Sequence, residues 1–212
     1  MKKSLLIILI LFPIIFSCQQ FKDNQKKTNK EKQRILEDTL IMQGLRSGIR
    51  YDTIFLDFVF GMKELEVNRK FKNLKRNGKI YLNDENNYCY DLTLSEYNKA
   101  TCTFNSKYYN NKLYSLSLMF KSDGYFSNID LLTMELQIIF MNKYGPPDVR
   151  TPSILNNEAN NYIWIKGNRK ISIQPALDIA LIKYEDLSII SKKENESKKK
   201  LIQDKKKINN DI

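Results

Sequence analysis

Histidine is absent from the 212 residues. Its absence removes serine–histidine and cysteine–histidine nucleophile pairs, histidine-based zinc sites and the commonest general base. What acid–base chemistry remains falls to carboxylates. They occur in pairs, as Glu64/Glu66, Asp84/Glu85 and Glu185/Asp186. Two carboxylates about 5–9 Å apart across a cleft can hydrolyse a glycosidic bond. An ordinary acidic surface offers the same spacing and does no chemistry. No serine sits in a Gly-x-Ser-x-Gly elbow, and no glycine-rich phosphate loop occurs. Asp84-Glu85-Asn86-Asn87 is rich in oxygen ligands but lacks the ordered spacing of a calcium loop. It reads as a polar turn. No catalytic residue, metal ligand or cofactor is assigned.

The clearest chemical signal lies near the N-terminus. Met1-Lys2-Lys3 is a positive start, and Leu5 to Phe16 is an almost wholly aliphatic run closed by Ser17-Cys18. A spanning helix needs roughly 20 apolar residues. This run is shorter and is broken by Pro13, which is the layout of a secretory signal. Ile15-Phe16-Ser17-Cys18 resembles a bacterial lipobox. The resemblance implies diacylglycerol on the Cys18 thiol and cleavage before it, and two or three acyl chains hold a protein stably on a membrane. Gln19-Gln20 follow, without the aspartate that marks inner-membrane retention in such lipoproteins. The expected location is the periplasmic face of an outer membrane.

Cys89 and Cys102 remain. A hairpin folded at Ser95-Glu96 sets them directly opposite one another, and an oxidising compartment favours a bridge. The two readings are a cross-strand disulfide and a pair of small buried residues.

The formal net charge of +11 invites a nucleic-acid reading, and its distribution removes it. Residues 19–34 carry six basic and two acidic side chains, and residues 191–212 carry eight and four. Residues 35–190 hold nineteen basic and eighteen acidic ones, so the folded part is nearly neutral. Basic recognition surfaces are clustered patches on a fold, and these charges lie at the ends. The ends read either as solvated tails or as contacts to anionic headgroups.

These groups need a scaffold. Residues 1–17 are the signal and 18–48 a polar tether, which as about thirty flexible residues reaches roughly 30 Å. A short helix through Ile35, Leu36, Leu40, Ile41 and Leu45 ends near Gly44 or Gly48. The domain proper spans 49–190, and 191–212 is a Lys-rich tail, disordered or frayed helix. Tyr51–Phe60, dense in aromatic and β-branched residues, predicts a strand. Val67, Phe71 and Leu74 at i, i+4, i+7 predict an amphipathic helix stopped by Asn77-Gly78. Lys63 is a poor cap for it. Strands follow at Tyr88–Leu94, Ala100–Phe104 and Leu113–Phe120, with turns at Asn110-Asn111 and Asp123-Gly124. A second helix runs from about Asn128 to Tyr144, with Ser127 and Asp130 as a capping box. Ile129, Leu132, Leu136 and Ile139 share a face. Leu131, Met134, Ile138 and Met141 broaden it, which predicts a helix more buried than the first. Gly145-Pro146-Pro147 ends it. After a polar loop at 148–160, strands come at Tyr162–Lys166, Lys170–Gln174 and Ile179–Tyr184, the first two joined by a tight turn at Gly167-Asn168. Trp164 and Tyr88, Tyr90, Tyr108, Tyr109 and Tyr114 are either aromatic anchors of a partner surface or core and cross-strand packing.

The fold class is α+β: an antiparallel sheet with helices on one face, built from a tandem αβββ unit after one leading strand. This order resembles the β-lactamase-inhibitor-protein fold. Gly61-Met62, Tyr144-Gly145-Pro146-Pro147, Trp164 and Tyr184-Glu185-Asp186 are similar to patterns in small envelope lipoproteins of the SmpA/OmlA (BamE) type and in lipoproteins of the Bacteroides group. Together with the lipid tether and the absent catalytic constellation, the resemblance implies a non-enzymatic module that binds an envelope protein as assembly factor, scaffold or inhibitor, and the charge distribution argues against nucleic acid. The alternative is an envelope enzyme or small-ligand binder working through cleft carboxylates.

Overall fold

A computed structural model describes residues 29, 31–95, 99–122, 129–152 and 160–210. Cys18, the signal, Ser127 of the expected capping box and the Asp123-Gly124 turn lie outside the described residues. The described residues form four helices and one eight-stranded antiparallel sheet. Helix α1 covers residues 31–46. The others are α2 (Glu64–Arg76), α3 (Ile129–Tyr144) and α4 (Leu187–Asn210). The strands are β1 (Tyr81–Leu82), β2 (Tyr88–Thr93), β3 (Lys99–Tyr109), β4 (Lys112–Ser122), β5 (Val149–Pro152), β6 (Asn160–Lys166), β7 (Arg169–Ala176) and β8 (Ile179–Asp186).

The sheet order is β1-β2-β3-β4-β8-β7-β6-β5. Each half is a helix followed by a four-strand meander, and the last strands of the two halves pair at the centre. The repeat is therefore αββββ rather than αβββ. The extra strands, β1 and β5, are two and four residues long. They are too short to show a period of two, and β5 falls inside the stretch expected to be a polar loop.

Alternation sorts the side chains onto two faces. Leu116, Leu118 and Phe120 lie opposite Tyr184, Ile182 and Ala180. Trp164 lies opposite Ile171. All of these are buried in one core, with Val67, Phe71 and Leu74 of α2 and Leu132, Leu136 and Phe140 of α3 above them. The three α2 positions are those the sequence spacing predicts. Lys63 has no acceptor to offer as a cap. Glu66 supplies one instead, its carboxylate accepting from the Lys63 N–H at 2.7 Å. Asn110 and Asn111 both have positive φ, 48° and 58°, the geometry that a two-residue hairpin turn requires.

The expected leading strand at Tyr51–Phe60 is not one. Leu56 and Asp57 have φ of 51° and 57°, and Phe55–Asp57 form a 3-10 turn. The chain doubles back, with Ile54 N–H donating to Phe58 O at 2.8 Å and Phe60 N–H to Asp52 O at 2.9 Å. Its apolar density serves burial: Ile54, Phe58 and Phe60 plug the core. Apolar composition reports burial, and here the backbone takes another path to reach it.

The opposite sheet face is largely polar, except toward β5 and β6. There Val149, Ile163 and Ile165 join Leu187, and Leu40, Ile41 and Leu45 of α1 pack on them. These residues belong to a compact unit that spans Leu40–Ile212. Gly44 lies inside α1 and Gly48, at φ 67°, follows its end. A Cβ on Gly44 would lie 2.5 Å from the Gly167 carbonyl oxygen, so this glycine permits close approach rather than ending a helix.

The turn it touches is a clasp. Asn168 is buried. Its N–H donates to Ile49 O at 3.3 Å, and its own carbonyl accepts from Leu187 N–H at 2.7 Å. Its side-chain oxygen accepts from Tyr51 N–H at 2.6 Å, and its Nδ2 donates to Asp52 Oδ1 at 3.0 Å. Beside it, buried Asp186 receives Arg50 Nη2 at 3.3 Å and caps α4 through Ser188 N–H at 3.0 Å. One hairpin turn thereby holds both the entry and the exit of the sheet.

Candidate functional site

Each carboxylate pair has a bonding role. Glu66 caps α2. Glu85 accepts from Asn87 Nδ2 at 3.1 Å, within the turn that Asn83 Oδ1 organises by accepting from the N–H groups of Glu85 and Asn87. Asp84-Glu85-Asn86-Asn87 is thus the polar turn the sequence suggests. Glu185 and Asp186 are neighbours in sequence, yet the strand turns them to opposite faces. Glu185 lies 3.8 Å from Lys183 Nζ on the polar face, and Asp186 is buried at the start of α4, which it caps. They cannot flank one bond. Among the described residues, no three metal-ligating groups gather.

Cys89 and Cys102 are free. The register of the β2–β3 hairpin sets Cys89 against Thr103 and Tyr90 against Cys102. A one-residue offset from the expected pairing sends the two thiols to opposite faces. Cys102 enters the core and Cys89 the polar face, and neither is solvent-accessible. The expected disulfide is therefore replaced by two buried thiols. Desolvation pushes the Cys102 thiol far above its ordinary range, and burial raises Cys89 as well. A folded thiol that holds its proton more tightly than the unfolded one gives stability that is full below the ordinary thiol range and fades as the pH rises past it. Denatured, unreduced mature protein should yield two equivalents of reactive thiol from these residues, and native protein close to none. Absence of reactive thiol in the denatured chain would restore the bridge.

The polar face carries a groove of about 500 Å³ whose lining includes Tyr81, Asp84, Glu85, Cys89 and Lys121. Tyr81 donates its hydroxyl to Asp91 Oδ1 at 2.8 Å, and this bond to a carboxylate pushes the Tyr81 pKa up. The aromatic residues are mostly structural. Trp164 is fully buried, with its indole Nε1 donating to Gly145 O at 2.8 Å. Phe71 stacks on Tyr88 at 4.7 Å.

The outward face of α3 departs most from expectation. The helix buries Leu132, Thr133, Leu136 and Phe140. Leu131, Met134 and Ile138 were expected to widen that buried face, but they are exposed, Met134 and Ile138 each at 49%. Their i, i+3, i+7 spacing sets them on one stripe. A helix apolar all round is normally buried all round. Here one sheet covers one side only. The signal for this surface was present in the sequence as a second apolar set, and it was indistinguishable from a wider core face.

Comparisons with protein-family models, with curated proteins and with solved structures find no match. The fold class is α+β, and among the described residues no helix is long and apolar enough to cross a membrane.

Proposed function

We propose that this chain is a lipid-anchored bacterial envelope protein that binds a protein partner and catalyses no reaction. Cys18 is the attachment site, the periplasmic face of the outer membrane the location, and scaffold, assembly factor or inhibitor the role. The observation that carries the binding role is the stripe of Met134 and Ile138 on α3, continued by Leu131. Burying one such side chain is worth about 1.5–3 kcal/mol, and a few well-packed anchors dominate protein interfaces. The lipobox supports the attachment. The groove beside Asp84 and Glu85 is the place where the alternative, a small-ligand binder or enzyme, would act.

Two measurements test the two halves separately. Mass spectrometry of the mature N-terminus should find acylated Cys18, and an unmodified residue there removes the anchor. Residues 19–212, which contain every described contact, should crosslink to a specific envelope protein through a photoreactive residue at position 138. The Met134→Glu/Ile138→Glu variant should lose that partner while keeping its circular dichroism spectrum. Retention of the partner by this variant, or no crosslink at position 138, overturns the assignment to α3.

A further inference from the structure

We propose that the outer part of α4 is a membrane-surface helix that lies on anionic lipid headgroups. The inference takes the presence of a membrane from the reading of Cys18 as an anchor. The lipid contact itself is a property of the helix. α4 has 24 residues, about 36 Å at 1.5 Å per residue. Its beginning is fixed to the sheet. Leu187 is buried, Asp186 caps it, and Lys193 Nζ meets Tyr114 OH at 3.3 Å above the ring. Glu196 accepts from the Tyr109 hydroxyl.

From Lys198 to Gln203 every residue is exposed. Leu201 and Ile202 are 57% and 54% exposed, directly after Lys198, Lys199 and Lys200. A stretch of helix without tertiary support is marginal in water. Two adjacent apolar side chains beside three lysines suit an interface in which the apolar pair enters the acyl boundary and the ammonium groups reach phosphates. Glu194 and Glu196 keep their charge, but residues 191–212 carry eight basic and four acidic side chains, so this end of the chain stays net positive. Charge complementarity selects a negative surface over a neutral one. Residues 35–190 are nearly neutral in formal charge, so the attraction is confined to the ends. If Cys18 is lipidated, the twelve residues from Gln19 to Lys30 span at most about 40 Å, which keeps the chain close to headgroups.

The test uses unlipidated residues 19–212, so that binding cannot come from acyl chains. The probes are vesicles of phosphatidylcholine alone and of phosphatidylcholine with 30 mol% phosphatidylglycerol, at roughly 50 mM salt. Co-flotation should occur with the anionic vesicles only and fall as salt rises. K198Q/K199Q/K200Q should weaken partitioning on the order of 100-fold, since each lysine near such a surface is worth about a fivefold change. Leu201→Asn/Ile202→Asn should weaken it while leaving the salt dependence in place. No flotation with anionic vesicles, equal flotation with neutral ones, or a triple variant that binds like the parent would each overturn the proposal. An unmodified mature N-terminus with intact vesicle binding would instead remove the anchor and leave this helix standing.

Discussion

Replacing Trp164 by alanine should cost about 3–5 kcal/mol, the range for deleting a large aromatic from a core. Trp164 is wholly buried between Phe140 of α3 and Ile171 of the neighbouring strand. Its loss also strips the Gly145 carbonyl of the donor at 2.8 Å, a smaller cost, because Gly145 is only half-buried and water can take the donor's place. Domains are stable by only about 5–15 kcal/mol, so the variant should sit near its threshold. Trp164→Phe keeps most of the volume and should cost less, with the missing indole N–H as the main term. Urea unfolding followed by far-ultraviolet circular dichroism reads both, because the only tryptophan fluorophore is the residue removed. A loss below about 1 kcal/mol for the alanine variant would contradict the burial of Trp164 against α3.

The second large effect lies where Gly44 meets Gly167. Glycine inside an exposed helix is worse than alanine by about 1 kcal/mol, so Gly44→Ala should stabilise α1 if the helix stood alone. The Gly167 carbonyl oxygen, 2.5 Å from the new methyl, reverses the sign. Gly167→Ala meets two obstacles. Its φ is 55°, and its Cβ would approach Ile49 O to 2.2 Å. The left-handed conformation alone costs about 1–2 kcal/mol, and the contact with Ile49 forces the clasp to move. A total of about 2–4 kcal/mol is expected for Gly167→Ala. Because the two sites touch, the double variant should cost less than the sum of the singles. Stabilisation by Gly44→Ala would show that α1 does not rest on this turn.

Much of the frame was legible because local rules and tertiary demands coincide. The i, i+4, i+7 spacing of Val67, Phe71 and Leu74, the paired asparagines at 110 and 111 and the glycine at 145 each meet a requirement that the backbone states locally. The failures share one cause: the information was not local. Tyr51–Phe60 is apolar enough for a strand, but two left-handed residues fold it back into the core. Cys89 and Cys102 were set opposite by a turn assumed at Ser95-Glu96, and one residue of register reversed a face. α3 looked thoroughly buried because one sequence cannot say how many layers will cover a helix. The clasp around Asn168 had no sequence signal beyond a turn, since its partners at 49–52 and 186–188 are more than a hundred residues apart from one another.

The central seam of the sheet bears on how the chain reaches its fold. β3 closes on β4 through a two-residue turn, and β7 closes on β8 in the same local way. β4 reaches β8 only by joining residues such as Ser115 and Glu185. The first half of the chain, emerging earlier from a ribosome or a translocon, therefore presents the β4 backbone as an open edge beside Leu116, Leu118 and Phe120. Such an edge is a template for wrong pairing. It closes only when the final strand of the second half arrives, and long-range pairing of this kind is slow. The hazard of misassembly is thus concentrated in the interval between two strands, and the strand that ends it leads directly into α4.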